Sequence, residues 1–425
     1  MQNTIVVPKL RIGSRRFDIF PLWIALLISG FIFGIFGAYE VLTQGLQVTG
    51  LNNHVTWGLW IIIDLSAIGL GGSAFLFGVI VYLLRLKRFE VVGRLAVLLG
   101  FLGYSTAGMV LLFDLGQPLR FWHPVVYWQP HSLLWEITMC VVLYLTVLLA
   151  ELLPIILEHP VFHTHPWLER FPILGKLFKF INSFAHALHK LGPLWAVAGL
   201  TLSILHQASL GATYGMLAGR GVSFGPTVPI LFILSAMAGG TALLFILSAF
   251  VFRKMRPGLV RDEVIYDIAR IAGAILLLWV YIRMWDWAVI NYYSFNLNVA
   301  SQTELLNTIA PFSASFWFGE ILASVVAGFI LISAKKIGNF RIILIAAIFP
   351  VLLVALLRWN YNFAGLVASI SYDPYTPIIW LRSYTPTWQE WAVGTGVISY
   401  WLLGFSFAAR FLPFHAGHAG EEAHH

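Results

Sequence analysis

Ionisable side chains interrupt the long apolar runs of this 425-residue chain at only a few places. Asp64, Asp114, Glu136 and His206 form one group along the sequence; Arg283, Asp286, Glu320 and Arg358, with the neutral amide of Asn360 beside them, form a second. A charge inside an apolar span is expensive, so such residues are candidates for function by default. In the first group three carboxylates face one histidine and, from a nearby loop, Arg120. Carboxylates without basic partners in a low-dielectric setting can exchange protons near neutral pH. Trp57, Trp60, Tyr104, Trp122, Tyr127 and Trp135 fall at similar positions. Flat apolar walls beside an acid or a histidine suit a redox-active quinone, whose ring oxygens take or give a proton with each electron. An aromatic belt at a membrane interface explains most of these rings equally well. For the second group the plainer explanation is buried pairing, such as Glu320 with Arg358, with no further role.

The elements that must position these groups follow from composition. Hydrophobic residues make up 59% of the chain and charged residues 11%, against ~45–50% and ~25% in soluble domains. Too little polar surface exists to cover a water-soluble globule, so the solvent is lipid. The net charge of +7 then reports loop placement rather than a nucleic-acid partner. Spans of ~20 apolar residues are expected at 21–43, 56–84, 92–113, 132–153, 192–215, 227–252, 264–291, 315–334, 341–366 and 391–412. The fold class is all-α integral membrane with ten spans. The first span is longer than a signal peptide and carries Glu40 near its end, which predicts a retained anchor. Sorting the 26 Lys and Arg residues puts twenty on one side and Arg120, Arg220 and Arg382 on the other, with Arg270, Arg283 and Arg358 inside spans. Both termini are therefore expected in the cytoplasm, and the first polar group lies in the outer half of the membrane.

A repeat is suggested by Leu65-Ser66-Ala67-Ile68 with Gly71-Gly72-Ser73-Ala74 in span two, and Leu234-Ser235-Ala236-Met237 with Gly239-Gly240-Thr241-Ala242 in span six. Arg88-Phe89-Glu90 and Arg261-Asp262-Glu263 then open spans three and seven in the same loop position. Both copies start on the same side, so the repeat is parallel. The alternative is that Gly-Gly-Ser/Thr merely permits close packing. The organisation expected is an N-terminal segment with peripheral span one over 1–55, a first four-helix bundle over 56–216, a second over 227–366, peripheral span ten over 391–412 and a tail over 413–425. Within the first bundle, 154–190 reads as a cytoplasmic interfacial helix. Glu151 and Asp267 are the candidates for an inner proton relay, or simple interfacial residues. Cys140 is the single cysteine, which excludes thiolate-held clusters on this chain alone. Of the histidines only His206 is clearly inside a span, so a bis-histidine haem site is not expected. A solute transporter also fits ten spans and a repeat, though a parallel repeat and one-sided polar residues count against it.

Several stretches together resemble the NrfD/polysulfide-reductase membrane-subunit family, and the ten-span length resembles its HybB/DsrP branch. They are Trp57-Gly58-Leu59-Trp60-Ile61 with Asp64; Asp114-Leu115-Gly116-Gln117-Pro118 with Arg120-Phe121-Trp122-His123-Pro124; His131-Ser132 with Glu136; His206-Gln207-Ala208-Ser209-Leu210-Gly211; and Arg358-Trp359-Asn360. The resemblance runs from about Trp57 to Gly365. It implies a haem-free, quinone-reactive subunit of a respiratory electron-transport complex in a prokaryotic inner membrane. It also implies an extracytoplasmic ferredoxin-like iron-sulfur partner, further catalytic subunits, exchange with menaquinone, and a quinone site in the first bundle. By chemistry and depth the expected quinone-binding and proton-exchange set is Asp64, Glu136, His206, Asp114, Trp57, Tyr104, Arg120 and His123. Proton translocation is the coupled alternative.

Overall fold

The computed structural model describes residues 9–12, 15–159, 180–181, 183–184, 188, 190–216, 225–292, 304–371 and 378–414. Ten helices in it are long and apolar enough to cross a membrane. They are α1 (Phe20–Gln44), α2 (Leu59–Leu83), α3 (Lys87–Asp114), α4 (Leu133–Leu157), α5 (Gly192–Gly215), α6 (Val228–Met255), α7 (Asp262–Tyr292), α8 (Phe312–Ile332), α9 (Phe340–Ala364) and α10 (Trp388–Phe411). The expected spans agree with these to within a few residues. The largest difference at a helix start is in α3, which opens five residues early because Lys87–Phe89 forms a turn leading straight into it. Helix α4 runs four residues past its expected end because Pro154 is accommodated inside it. Two short antiparallel hairpins, Lys9–Ile12 with Arg15–Asp18 and Ala368–Ser371 with Ile378–Leu381, lie outside the helices and were not expected. The interfacial helix expected over 154–190 falls mostly outside the described residues, as does the tail from 415 on.

Helices α2 to α5 pack in sequence around a ring closed by α5 against the lower half of α2; α6 to α9 do the same, closed by α9 against α6. The rings meet where α2 touches α6 and α9, and where α5 touches α6. Small residues make this seam possible. A Cβ on Gly72 would lie 2.7 Å from the Ala236 carbonyl oxygen, and one on Gly240 would lie 2.7 Å from the Ser73 nitrogen. Backbone against backbone at this distance replaces the hydrophobic drive that lipid removes. Helices α1 and α10 pair with each other, with Gly34 and Gly396 in close contact, and α10 lies against α2 and α3.

The start of α2 is fixed by the connection before α10. Thr387 and Glu390 form a reciprocal capping box, and the buried Glu390 carboxylate also accepts from the Gly50 amide at 2.7 Å. The Tyr384 hydroxyl donates to Glu390 and accepts from the Leu59 amide, the first residue of α2. Burial, reinforced by the Glu390 contact, raises the Tyr384 hydroxyl well above the usual phenol range, so it stays a donor. Trp60 Nε1 donates to the Glu390 carbonyl at 3.0 Å. This set of bonds holds the helix that carries Asp64.

Candidate functional site

A cleft of about 550 Å³ opens between α3 and α4 in the half of the molecule away from the basic helix ends. Each helix contributes one face, as its 3.6-residue period requires. Ile61, Asp64 and Leu65 come from α2; Gly108, Leu111, Leu112 and Asp114 from α3; Leu134, Ile137, Thr138, Val141, Val142 and Leu145 from α4; and Leu210, Thr213 and Tyr214 from α5. Trp57, Leu115 and Phe121 complete it from the connections. Leu112, Leu115, Phe121, Leu134 and Val142 are exposed at the mouth, which places the opening on the lipid-facing side wall. Gly116, at a left-handed φ of +67°, turns the chain sharply after Asp114 and lets Phe121 return over the mouth.

The lining is apolar apart from two carboxyl groups and a few hydroxyls. Asp114 stands at the rim. Asp64 is buried at 4% exposure, and among the described residues its Oδ1 accepts no hydrogen bond. A buried polar atom without a protein partner calls for water or a ligand. Behind Asp64, the Tyr214 hydroxyl donates to Asn362 at 3.3 Å and the Asn362 amide donates to the Trp57 carbonyl at 2.8 Å, so α9 of the second ring braces the back wall.

Of the expected set, Asp64, Asp114 and Trp57 line the cleft and the others do not. Glu136 is half-buried on the face of α4 turned to α5, where it accepts from Ser209 Oγ at 2.8 Å. His206 is fully buried one turn below Leu210, beside the Ile137 backbone, with neither ring nitrogen in a hydrogen bond of good geometry. Tyr104 lies against it with ring centres 5.5 Å apart, and continues downward to Tyr144 at 4.6 Å and to Ser203 Oγ at 3.4 Å. These form a polar cluster beneath the cleft. Arg120 is exposed on the following loop, and His123 packs between Trp122 and Tyr127. Thr138, Thr213, Tyr214 and Gly108 were not anticipated. Thr213 and Tyr214 follow Leu210 at i+3 and i+4, the one signal in the sequence that places them on a shared face.

The second ring is arranged differently. Arg283 bridges Asp286 at 2.7 Å and Glu320 at 3.0 Å, all buried. Asn360 donates to Glu320 at 2.6 Å, and Thr227 donates to Asp286. The expected pairing of Glu320 with Arg358 is therefore replaced: Arg283 holds Glu320. Arg358 turns instead toward α6 and α5, donating to Ser235 Oγ and the Phe232 carbonyl at 3.2 Å each, with its guanidinium 3.6 Å from the Phe232 ring centre. The buried Asp286 and Glu320 carboxylates of this ring are thus occupied by protein donors, whereas among the described residues Asp64 Oδ1 in the first ring is not. Toward the basic end, Glu151 lies partly buried on α4, while Asp267 is held by Arg88, Arg270 and Lys335.

A protein-family model described as "Polysulphide reductase, NrfD" matches residues 47–368. The integral membrane subunit of menaquinone reductase from Nitratidesulfovibrio vulgaris is 30% identical over 401 residues, covering 93% of this chain and 91% of that one. A selenate reductase subunit from Mesobacillus selenatarsenatis is 26% identical, covering 90% and 91%. The probable Ni/Fe-hydrogenase 2 b-type cytochrome subunit of Escherichia coli is 22% identical, covering 86% and 85%.

Proposed function

Because this chain belongs to the NrfD polysulphide reductase family, we propose that it is the quinone-reactive membrane subunit of a respiratory oxidoreductase complex. The observation that carries the reading is the side-opening apolar cleft with the free Asp64 oxygen at its floor. A quinone bound there supplies a two-electron, two-proton couple. The chain's own part is to sandwich the ring between the α3 and α4 faces, to exclude water, and to exchange a proton at the Asp64 carboxyl. Asp114 serves the rim, where a proton leaves for solvent. His206 and Tyr104 act one layer below, as support or as the next proton station, and Glu136 braces that layer from α4 through Ser209. Menaquinone is the quinone we favour, from the name of one relative, a menaquinone reductase.

The partner we propose is an iron-sulfur subunit on the outer face, with further catalytic subunits beyond it, the termini cytoplasmic and the complex in the inner membrane of a prokaryote. The twenty-to-three distribution of basic residues supports this orientation. The chain itself is taken as haem-free, since His206 is the one histidine within a span among the described residues. The two rings are taken as parallel repeats, a reading supported by their matching packing order.

Photoaffinity labelling of the purified complex with an azido-menaquinone analogue tests the site. Labelled peptides should fall in 108–115 and 134–145; labelling confined to α7 and α8 would place the quinone in the other ring and overturn the assignment. A reduced-minus-oxidised spectrum of the same chain, freed of its partners, should lack a b-type haem band.

Proton translocation is the second reading. It is favoured by the descent from His206 through Tyr104 to Tyr144 and Ser203, on the way to Glu151. Charge moved per electron in sealed vesicles decides it: a value no greater than outside-only proton chemistry gives removes the idea.

A further inference from the structure

At the basic end, the buried Asp267 carboxylate on α7 is the meeting point of three cations. Arg88 Nη1 lies 3.2 Å from it, Arg270 Nη1 3.1 Å and Lys335 Nζ 2.7 Å. Arg88 belongs to the first turn of α3 in the first ring, and Lys335 to the connection between α8 and α9 in the second. One negative charge is thus shared by three positive ones drawn from both rings. The three cationic side chains keep exposures of 50%, 46% and 40%, so each has one side on Asp267 and another open. Like charges gathered around a single small anion repel one another, and the repulsion is relieved when a second anion covers the open side.

The surroundings say what kind of anion. Leu84 and Leu86 precede Arg88 and are exposed; Ile332 and Ile337 flank Lys335 and are exposed as well. Cations at a helix end beside bare apolar side chains offer a phosphate contact above and an acyl-chain contact below. Inorganic phosphate matches the first and has no use for the second.

We propose that Arg88, Arg270 and Lys335 form a binding site for the phosphodiester headgroup of an anionic phospholipid, seated where the two rings meet. The lipid joins the rings across Asp267 and is a resident component of the assembly. Asp267 then offsets part of the cations' charge and does not carry protons.

Native mass spectrometry of the delipidated, detergent-purified complex tests this, with titrations of phosphatidylglycerol, phosphatidylcholine and inorganic phosphate. Phosphatidylglycerol should bind tightest. An Arg88→Gln/Lys335→Gln double variant should lose that binding by about thirtyfold, from two basic contacts at the membrane surface. Asp267→Asn, which removes the competing negative charge, should keep or tighten it. That arm decides the matter if the double variant does not assemble. Equal binding of phosphatidylcholine, displacement by inorganic phosphate at matching concentration, full binding by the double variant, or loss of the preference in assembled Asp267→Asn would each overturn the proposal.

Discussion

Replacing Asp64 by Asn separates proton exchange from shape. Asn keeps the volume and can still hydrogen-bond a ring oxygen, but it cannot carry a proton. Positioned acid–base groups contribute about 10²–10⁴-fold in rate, which is ~2.7–5.5 kcal/mol of barrier. The structural cost is small. The Asp64 Oδ1 has no partner among the described residues to lose, and a neutral amide is easier to bury than a carboxylate, so stability should change by no more than about 1 kcal/mol. The complex should therefore assemble and bind quinone with KM changed only a few-fold, while kcat falls by about a hundredfold or more. Glu136→Gln is the internal control, since Glu136 faces Ser209 and not the cleft. Losing one charge-assisted hydrogen bond costs about 1–2 kcal/mol of stability at most and should leave kcat within a few-fold. The assay is electron exchange with a soluble menaquinone analogue, normalised to purified complex. Wild-type kcat in Asp64→Asn, or an equal loss in Glu136→Gln, would refute the placement of the proton at Asp64.

Gly108 lines the cleft, and a Cβ there meets nothing within 4 Å. Gly108→Leu should raise KM for the analogue about tenfold, the scale of an obstructed apolar pocket, while thermal stability holds or improves by about 0.5–1 kcal/mol. Gly240→Val forces a Cβ to 2.7 Å from the Ser73 backbone nitrogen, which cannot step aside; a loss of about 1–3 kcal/mol, seen as a lower melting temperature of the complex, is expected. Glu390→Ala leaves the Gly50 amide, the Thr387 amide and the Tyr384 hydroxyl without their acceptor. It should cost about 2–4 kcal/mol in the same melting assay.

Much of the fold was legible in the sequence, because a bilayer demands some twenty apolar residues per crossing and few other patterns meet that demand. Depth was legible too: Asp64, Asp114 and Trp57 group by distance from the span ends and do share a cleft. Helix rotation was not. In a soluble helix the polar face reveals which side turns inward; here lipid and core are both apolar, so that cue is absent. Glu136 and Thr138 are two residues apart on α4, yet one faces α5 and the other the cleft. The partner of Glu320 failed for the same reason, since Arg283 and Arg358 lie at similar depth and only the facing of α7 and α9 decides between them. The cations around Asp267 come from three separate segments and have no signature in any one of them.

The side-wall mouth between Leu112, Leu134 and Val142 has a kinetic consequence. A ligand entering there diffuses in two dimensions, and the concentration it competes at is its concentration in the bilayer. Inhibitor potency should therefore rank by membrane partition as much as by fit. A long isoprenoid tail can stay among the acyl chains while only the head turns in, so turnover should depend little on tail length once the tail is long enough to hold the molecule in the membrane.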